Sequence, residues 1–429
     1  MRVERFTASG DLNAAAARVR DMAPRPASVS VAVREILEQV KAQGDAGVLE
    51  LTRRFDTNGQ EPSQLRVQSH ELSQALEGLS IELRSSLEVA VANVELVAAA
   101  GVGSDLGVDL PDGQRIILRE VAVMRAAVYV PGGRAPYPST VVMGAVTARA
   151  AGVEEVVVCA PPGPDGDVHP VILAACALCG VEEVYRMGGA QAVAALAYGT
   201  QTISPVDVIV GPGNLYVQEA KRQLSDRVGL DGFAGPSDLL VIVDGEVDLR
   251  LIALDMLAQA EHGGETIVIG ISPDPETLDR LAAEIAHLAS TRPSAEDVGA
   301  AVLVDTSDAE VALEFAEAFA PEHLQLVGAG AETLAPRVRR AGCVLVGEQS
   351  ATAFGDYIIG SNHVLPTGGS ARFASGLSAR SFRRRMTEVH AGPSATLLAR
   401  SGATIARAEG FVVHAESMEA RIKENDRDE

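Results

Sequence analysis

The run EEVVVCAPPGPDGDVHPVILAACALCGVEEVYRMGG, residues 154–189, predicts the fold class. The stretches EEVVVCA and EEVYRM have the length of buried strands, and the apolar stretch HPVILAACALCG between them has the length of a helix. Strands that are buried on both faces and joined by helices are typical of parallel sheets. The run therefore predicts a strand, a helix and a second strand of an α/β domain.

The same alternation of strand and helix extends from about residue 115 to about residue 346 and is long enough for two such sheets. We predict an α/β protein with two parallel-sheet, Rossmann-like domains, a helical N-terminal region and a C-terminal tail without a strand signal. The expected parts are an N-terminal arm, a larger discontinuous domain, an inserted smaller domain and a helical tail, at residues 1–30, 31–128 with 235–375, 129–234 and 376–429.

Composition narrows the class of protein. The chain has 429 residues, of which 47% are hydrophobic and 22% charged, as in globular proteins with more than one domain. A formal net charge of -22 argues against nucleic acid as a partner. No segment has the roughly 20 apolar residues of a membrane span, and the first residues do not form a signal peptide. We expect a cytoplasmic protein whose Cys176 and Cys179, a lone C-x-x-C in an apolar helix, are core residues.

Three Gly-rich loops follow predicted strands of the smaller domain: YVPGG at 129–133, RMGGAQ at 186–191 and IVGPGN at 209–214. Loops at the carboxyl ends of parallel strands commonly bind nucleotides, and Gly lets the backbone approach a phosphate. The dinucleotide fingerprint G-x-G-x-x-G is incomplete, because Tyr216 stands where its last Gly belongs. The loops predict either a nucleotide site or ordinary tight turns.

Two polar pairs have the residue types of a reactive site. In LDMLAQAEHGGE, residues 254–265, Gln259 and His262 lie three apart and share one face of a predicted helix, which is typical of a polar helix end or of half a metal site. In PEHL, residues 321–324, the adjacent Glu322 and His323 could transfer protons in one cleft, or could be a solvated pair.

Two further pairs allow the same two interpretations. Asp356 and His363 belong to the polar loop GDYIIGSNHVLPT, residues 355–367, and could bind a ligand or only form turns. Glu409 and His414 belong to EGFVVH in the predicted tail helix, where surface residues are the common case. The residue types alone leave both interpretations open.

These motifs together resemble the histidinol dehydrogenase family. The resemblance runs from about residue 30 to the end of the chain and is carried, in this order, by YVPGG, GGAQAVAALAYGT, VGPGNLYVQEAKRQL, GPSDLLVIVD, QAEHG, PEHL and GDY…GSNHVLPT. Two positions depart from the family pattern: Gly264 stands where Pro is frequent, and Asp238 stands where Glu is common. Both departures keep the role of the position.

The resemblance implies a reaction and a set of site residues. Family members oxidise L-histidinol through L-histidinal to L-histidine, the last step of histidine biosynthesis, with two NAD and one zinc ion per subunit. It implies His323 as the base for the alcohol proton and Glu322 as the base for water. The implied zinc ligands are Gln259, His262, Asp356 and His414. The implied substrate contacts are Ser237, Gln259, His262, His323, Asp356, His363, Glu409 and His414, and the implied NAD contacts are Tyr129, Gln191 and Asn214.

The resemblance also implies a homodimer in which the tail of one subunit, with Glu409 and His414, completes the site of the other. Three other functions are compatible with some of the motifs. A related zinc- and NAD-dependent dehydrogenase of another small alcohol, such as a sulfonated diol, would leave the matches at Ser237, His363 and Glu409 unexplained. A zinc hydrolase would leave the Gly-rich loops without a role, and a non-catalytic nucleotide-binding protein would leave Glu322 and His323 without one.

Overall fold

The computed structural model describes residues 3–8, 10–22, 28–60, 64–132, 135–233, 235–292, 294 and 299–422. They form two compact units. One contains the described residues of 1–101 and 124–382, and the other those of 102–123 and 383–429. No helix in the described ranges has both the length and the apolar character needed to cross a membrane.

The strands are, in chain order, β1 (Val3–Thr7), β2 (Leu106–Asp109), β3 (Arg115–Ala122), β4 (Arg125–Tyr129), β5 (Glu155–Ala160), β6 (Glu183–Arg186), β7 (Val208–Val210), β8 (Gly229–Leu230), β9 (Asp238–Val243), β10 (Ile267–Ser272), β11 (Ala300–Asp305), β12 (His323–Val327), β13 (Cys343–Val346) and β14 (Arg383–His390).

The α-helices are α1 (Leu12–Arg20), α2 (Ser30–Gln43), α3 (Asp45–Phe55), α4 (Ser69–Glu77), α5 (Ile81–Ala100), α6 (Pro138–Val141), α7 (Thr147–Ala150), α8 (Pro170–Leu178), α9 (Gly189–Tyr198), α10 (Leu215–Gln223), α11 (Leu249–Ala260), α12 (Pro275–Ala289), α13 (Ala309–Phe319), α14 (Ala329–Glu332), α15 (Thr352–Tyr357), α16 (Ser394–Ala408) and α17 (Val412–Glu419). A π-turn, Val142–Val146, joins α6 to α7. Short 3₁₀ turns span Ala335–Arg337, Ser370–Arg372 and Ala379–Phe382.

The first unit contains two parallel sheets. The six-stranded sheet has the order β1-β11-β10-β9-β12-β13, and the five-stranded sheet has the order β6-β5-β4-β7-β8. Their central strands are Val- and Ile-rich and buried along their length, as expected when helices cover both faces of a sheet. The predicted fold class is therefore confirmed. The proposed domain boundaries stay a prediction, and we note that α2 and α3 pack on the core of the five-stranded sheet.

The second unit contains the antiparallel sheet β14-β3-β2 and the helix pair α16 and α17. Ala403, Ala406 and Ala415 form the small core between the two helices. The sequence pattern did not predict β14, since RRRMTEVH is mostly charged and exposed. The strand instead pairs along its whole length with β3, where Arg385 bonds to Glu120 across the strands.

The N-terminal arm also differs from its helical expectation, because β1 adds an edge strand to the six-stranded sheet beside β11. Conversely, the alternation of strand and helix predicts a helix over ETLAPRVRRAG, residues 332–342, but α14 ends at Glu332 and this stretch contains only the 3₁₀ turn Ala335–Arg337. Cys159, Cys176 and Cys179 are free and buried, so the C-x-x-C is part of the core as predicted.

Candidate active site

Strand pairing brings the Glu322–His323 pair to the amino-terminal edge of the six-stranded sheet. His323 is the first residue of β12, and in the parallel ladders it lies opposite Leu239 of β9 and Cys343 of β13. The residue before each strand therefore lies at the same edge, which places Glu322 beside Ser237 and Asp238 although they are far apart in the chain. Glu322 and His323 are only 6% and 4% exposed.

The Glu322 carboxylate is held by groups at the start of β9. Its Oε2 accepts hydrogen bonds from the Ser237 hydroxyl and from the Asp238 backbone N–H, the latter at 3.0 Å. In return the Glu322 N–H donates to Asp238 Oδ1 at 2.7 Å. Burial and, to a smaller extent, the nearby Asp238 carboxylate raise the pKa of Glu322 to about 8, so the ionised carboxylate is a far stronger base than that of an ordinary glutamate.

Gln259, in the last turn of α11, has an unsatisfied carbonyl oxygen. Its Nε2 donates to the Ser237 hydroxyl oxygen at 2.5 Å. Its Oε1 is buried and has no hydrogen-bond partner within the described residues. An unpaired amide oxygen in a buried site costs free energy unless a donor or a cation satisfies it. This oxygen therefore fits a metal ion.

Two more of the implied metal ligands lie in the same unit. His262 is in the turn just after α11, keeps an exposed edge, and has a pKa lowered by the protein packed around it. Asp356, near the end of α15, has a pKa raised by burial to about 6, and its Oδ1 lies 4.0 Å from Nε2 of His323. Neutral imidazole, carboxylate and amide oxygen are donors that zinc accepts. Over the described ranges, no group of three or more His, Cys, Asp or Glu residues is arranged to hold a metal.

His323 is a neutral imidazole in this environment. Burial lowers its pKa to about 4, and the neighbouring imidazoles of His262 and His363 lower it as well. Its Nδ1 is buried, makes no hydrogen bond within the described part of the chain, and lies 3.9 Å from Oε2 of Glu322. A neutral ring with an available nitrogen can accept a proton from a bound alcohol.

His363 connects this edge to the helix that follows β4. Its Nδ1 lies 2.9 Å from the Asp356 carbonyl oxygen, and its Nε2 lies 3.3 Å from the Thr140 hydroxyl near the start of that helix. The preceding Asn362 donates from Nδ2 to the Met143 carbonyl in the π-turn at 3.0 Å. π-turns are frequent at functional sites, yet neither Thr140 nor Asn362 carries a sequence signal that would have singled it out.

Glu409 and His414 lie in the second unit. Glu409 is the exposed residue at the end of α16, and His414 is exposed on α17, where its ring stacks against Phe411 with centroids 5.1 Å apart. The structure thus groups Gln259, His262 and Asp356 in one unit and places the other two implied contacts in the tail. The zinc set and the substrate contacts stay a prediction.

The three Gly-rich loops lie at the carboxyl ends of β4, β6 and β7, which are neighbours or next neighbours in the five-stranded sheet. The buried Tyr129 accepts a hydrogen bond at its hydroxyl from the Gly189 N–H at 3.0 Å, which joins the first loop to the second. Asn214 caps α10, because its side-chain oxygen accepts hydrogen bonds from the N–H groups of Tyr216 and Val217.

Two polar side chains without a sequence signal, the half-buried Asp56 and the buried Lys221, hold these loops. Asp56 accepts a hydrogen bond from Nε2 of Gln191 at 3.1 Å, and burial raises its pKa to about 6. Lys221, 1% exposed, donates to the Gly211 carbonyl at 2.6 Å and to Asp231 at 2.7 Å, while Asp231 accepts from the Gly211 N–H. Lys221 lies four residues after Val217 on one apolar helix face, which is the only local hint of its burial.

Comparison with known proteins identifies the relatives of this chain. A sequence model of the histidinol dehydrogenase family matches residues 20–422. Histidinol dehydrogenase of Gluconobacter oxydans is 42% identical over 406 residues, which cover 93% of this chain and 94% of that protein. The enzyme of that name from Pseudomonas aeruginosa is 41% identical over 402 residues, 92% of this chain and 91% of that protein. The crystal structure of histidinol dehydrogenase from Elizabethkingia anophelis superposes with a TM-score of 0.91 at 29% identity over 98% of both chains.

Proposed function

The chain belongs to the histidinol dehydrogenase family of oxidoreductases, and on that premise we propose that it oxidises L-histidinol through L-histidinal to L-histidine with two NAD and one zinc ion. The observation that carries the proposal is the buried Glu322–His323 pair, in which His323 lies 4.0 Å from Asp356. Ser237 donates to Glu322 and accepts from Nε2 of Gln259, whose side-chain oxygen is unpaired among the described residues. Glu322 and His323 are two bases near the unpaired Gln259 oxygen, which could bind a metal ion. Such an arrangement suits the removal of a proton first from an alcohol and then from water.

The first oxidation needs a base for the alcohol proton, and His323 supplies it. Because burial holds the pKa of His323 at about 4, the ring is neutral near neutrality and free to accept the proton as the hydride leaves the carbon. NAD, bound along the loops of Tyr129, Gln191 and Asn214, would supply the hydride acceptor. The Asp356 carboxylate, whose Oδ1 lies 4.0 Å from Nε2 of His323, stabilises the imidazolium that results.

The second oxidation needs a base for water, and Glu322 supplies it. Its two donors, Ser237 and the Asp238 N–H, orient the carboxylate at the edge of the sheet, and its raised pKa makes it a strong base once ionised. His323, after releasing the first proton to solvent, accepts the hydroxyl proton of the aldehyde hydrate as the second hydride leaves. One pair of residues thus serves both steps without exchange of the substrate.

Zinc, when held by Gln259, His262, Asp356 and His414, would supply a positive charge that anchors the nitrogen atoms of the substrate and favours ionised carboxylates beside it. Ser237, His363 and Glu409 would contact the substrate, and the Glu409 carboxylate suits its ammonium group. Among the donors, Gln259 is neutral, so the set neutralises zinc only in part and leaves it able to accept further ligands.

The test of this proposal is an assay of purified protein with NAD and L-histidinol. We expect NADH and L-histidine from the zinc-loaded protein, little of either after metal removal by a chelator, and recovery when zinc is added back. A zinc-loaded protein that oxidises a sulfonated diol but not L-histidinol would replace the proposed substrate, and a protein that oxidises neither would remove the proposed reaction.

We also propose that the tail of one subunit completes the site of its partner in a homodimer. A chain that ends at residue 375 should therefore lose both zinc affinity and activity. A sharper test mixes two inactive variants, His323→Asn and His414→Asn, and lets them exchange subunits. If the tail serves the partner, the mixed dimer has one intact site and activity returns. If the tail serves its own chain, no mixture is active.

A further inference from the structure

Arg20, the last residue of helix α1 in the N-terminal arm, lies near the amino-terminal edge of the six-stranded sheet, where Glu322 and His323 are located. We call this the reactive edge. Helix α1 begins at the cap Asp11 and packs Ala16 and Val19 into the core that contains Phe315 and Phe319 of α13. Its last residue, Arg20, is thereby directed toward the point where α13 ends and the chain turns into Glu322. Nothing in the sequence pattern assigns the first twenty residues a role.

Arg20 makes three contacts there. Its guanidinium lies over the Phe319 ring, 4.0 Å from the centroid, and donates a hydrogen bond to the Phe319 carbonyl. Its Nη1 lies 3.7 Å from Oδ2 of Asp238. Phe319 is the last residue of α13, and Ala320 follows in the left-handed conformation with φ of 50°. Arg20 therefore binds a terminal carbonyl of α13, where cations are favoured by the helix dipole.

The third contact of Arg20, Asp238, also binds Glu322. Asp238 is 3% exposed, and its Oδ1 accepts the Glu322 N–H at 2.7 Å while its own N–H donates to the Glu322 carboxylate. Burial raises the pKa of Asp238 to about 6, and the charge of Arg20 opposes that rise. Without a cation nearby, a buried carboxyl at this position would tend to become neutral.

The loop at 368–369 is shaped around the same group. Gly369 adopts φ of +80°, and a Cβ built on it would lie 3.2 Å from Cζ of Arg20, which is tighter than ordinary packing allows. The Gly368 backbone also hydrogen-bonds to Asp238. The exposed Arg372 is the other cation near Arg20 and repels it, so Asp238 is the charge that favours the observed position.

We propose that Arg20 is a positioning residue for Glu322: it fixes the end of α13 before Glu322 and the Asp238 carboxylate that binds the Glu322 backbone. The N-terminal arm thus completes the reactive edge of its own chain. The kinetic part of this inference rests on the proposed function, in which Glu322 is the base for water. Its structural part concerns only the amide of Glu322 and can be measured without any substrate.

The test compares Arg20→Gln with Arg18→Gln, a matched control on the exposed face of α1. Hydrogen exchange followed by mass spectrometry reads the Glu322 amide, which is protected by Asp238. We expect exchange at Glu322 to become about tenfold faster in Arg20→Gln, since loss of a buried anchor promotes local opening, and to stay unchanged in Arg18→Gln. Equal exchange in all three proteins would overturn the inference.

Kinetics separate positioning from mere packing of α1. In Arg20→Gln we expect kcat for L-histidinal oxidation to fall about tenfold, the size typical of residues that orient an active-site group, while KM for NAD stays within twofold. Arg20→Lys keeps a charge and should recover part of the loss. Equal losses in Arg20→Lys and Arg20→Gln, or a matching rise in KM for NAD, would assign Arg20 to packing alone.

A double variant tests the route through Asp238. If Arg20 acts by way of Asp238, adding Arg20→Gln to Asp238→Asn should slow L-histidinal oxidation no further, and full additivity would contradict that route. Should Arg20→Gln fail to fold, the exchange measurement is made on Arg20→Lys, where intermediate exchange at Glu322 is expected and wild-type exchange would overturn the inference. If wild-type protein does not oxidise L-histidinol, the proposed function fails, and hydrogen exchange still decides the role of Arg20.

Discussion

The two parallel sheets of this chain present opposite edges to their candidate ligands. The five-stranded sheet uses its carboxyl edge, where Gly-rich loops follow β4, β6 and β7 and their polar groups are paired with one another. The six-stranded sheet uses its amino edge, where Gln259 Oε1 and His323 Nδ1 are buried without partners among the described residues. Polar groups that are hydrogen-bonded to one another keep the loops rigid, whereas polar groups without a hydrogen-bond partner can still bind a metal or accept a proton.

The carboxyl groups at the two edges also differ, both in pKa and in the groups that surround them. At the amino edge, Glu322 has a pKa of about 8, because it is buried beside a second carboxyl, and at the carboxyl edge Asp56 has a pKa of about 6 and binds Gln191. Perturbed titratable groups in a cluster are typical of reactive sites. The comparison supports our proposal that the reaction takes place at the amino edge and that the cofactor binds at the carboxyl edge, and each of the following experiments tests that proposal.

The largest effect should come from His323→Asn at the amino edge. Loss of the only proposed base for the alcohol should lower kcat by about 10³, within the range of general acid–base catalysis, without changing the zinc content. Steady-state rates and metal analysis measure the two quantities. His70→Asn, an exposed residue of α4, is the control and should retain wild-type rates. A large loss of zinc in His323→Asn would show that proton transfer and zinc binding do not depend on separate residues.

A substitution at the carboxyl edge should instead change cofactor affinity. Gly211 has φ of +110°, and a Cβ on it would overlap the Tyr129 carbonyl, so Gly211→Ala must distort the loop. Strain of about 1–3 kcal/mol corresponds to a rise of roughly 5- to 150-fold in KM for NAD. Gly78→Ala, at a turn with φ of -78°, is the control. A loss of L-histidinol affinity equal to the loss of NAD affinity would contradict the proposal that substrate and cofactor bind at different edges.

Asn214 offers a finer test, because it has a visible structural role and a predicted cofactor role. Asn214→Ala removes the cap of α10 and should lower the free energy of unfolding by about 1 kcal/mol, whereas Asn214→Ser keeps a capping oxygen and should be close to neutral. Thermal unfolding measures this difference. If Asn214 also contacts NAD, both variants raise KM for NAD; if only the alanine variant does, the residue is a cap and no more.

A last difference concerns the pH dependence of stability in metal-free protein. Both carboxyls have raised pKa values in the folded state, so each stabilises at low pH and loses that contribution as pH rises through its folded pKa. The stabilising contribution of Asp56 is therefore lost by about pH 6, and that of Glu322 continues to decrease up to about pH 8. Relative to Glu322→Gln, wild-type Tm should therefore keep falling between pH 6 and 8, whereas relative to Asp56→Asn it should be level there. Parallel curves for the two variants would contradict the different pKa values.

The sequence predicted the features of this comparison that are local. Val-rich strands, the helices between them and Gly at the strand ends are consecutive in the chain, so periodicity reveals them. The adjacent Glu322 and His323 were predicted as candidates for one cleft, and the structure buries both at one edge. The roles of these residues, and of Gln259 and Asp356, stay predictions.

Long-range contacts could not be predicted in this way. Strand β14 has no apolar alternation and depends on pairing with β3, and β1 is an edge strand only because β11 is beside it. The contact of Arg20 with Asp238 joins residues more than 200 positions apart. Asp56 and Lys221 are ordinary charged residues in sequence, and their contacts with Gln191, Gly211 and Asp231 exist only in the folded chain. Periodicity within one segment carries no information about such partners.

The most direct test of the central claim counts NADH per L-histidinol in the wild type and in Glu322→Gln, both loaded with zinc. If the amino edge carries out both oxidations in sequence, the wild type forms two NADH for each L-histidinol consumed, and Glu322→Gln forms the first and stalls before the second, with L-histidinal accumulating. Two NADH from Glu322→Gln at the wild-type rate, or a single NADH from the wild type, would contradict the account.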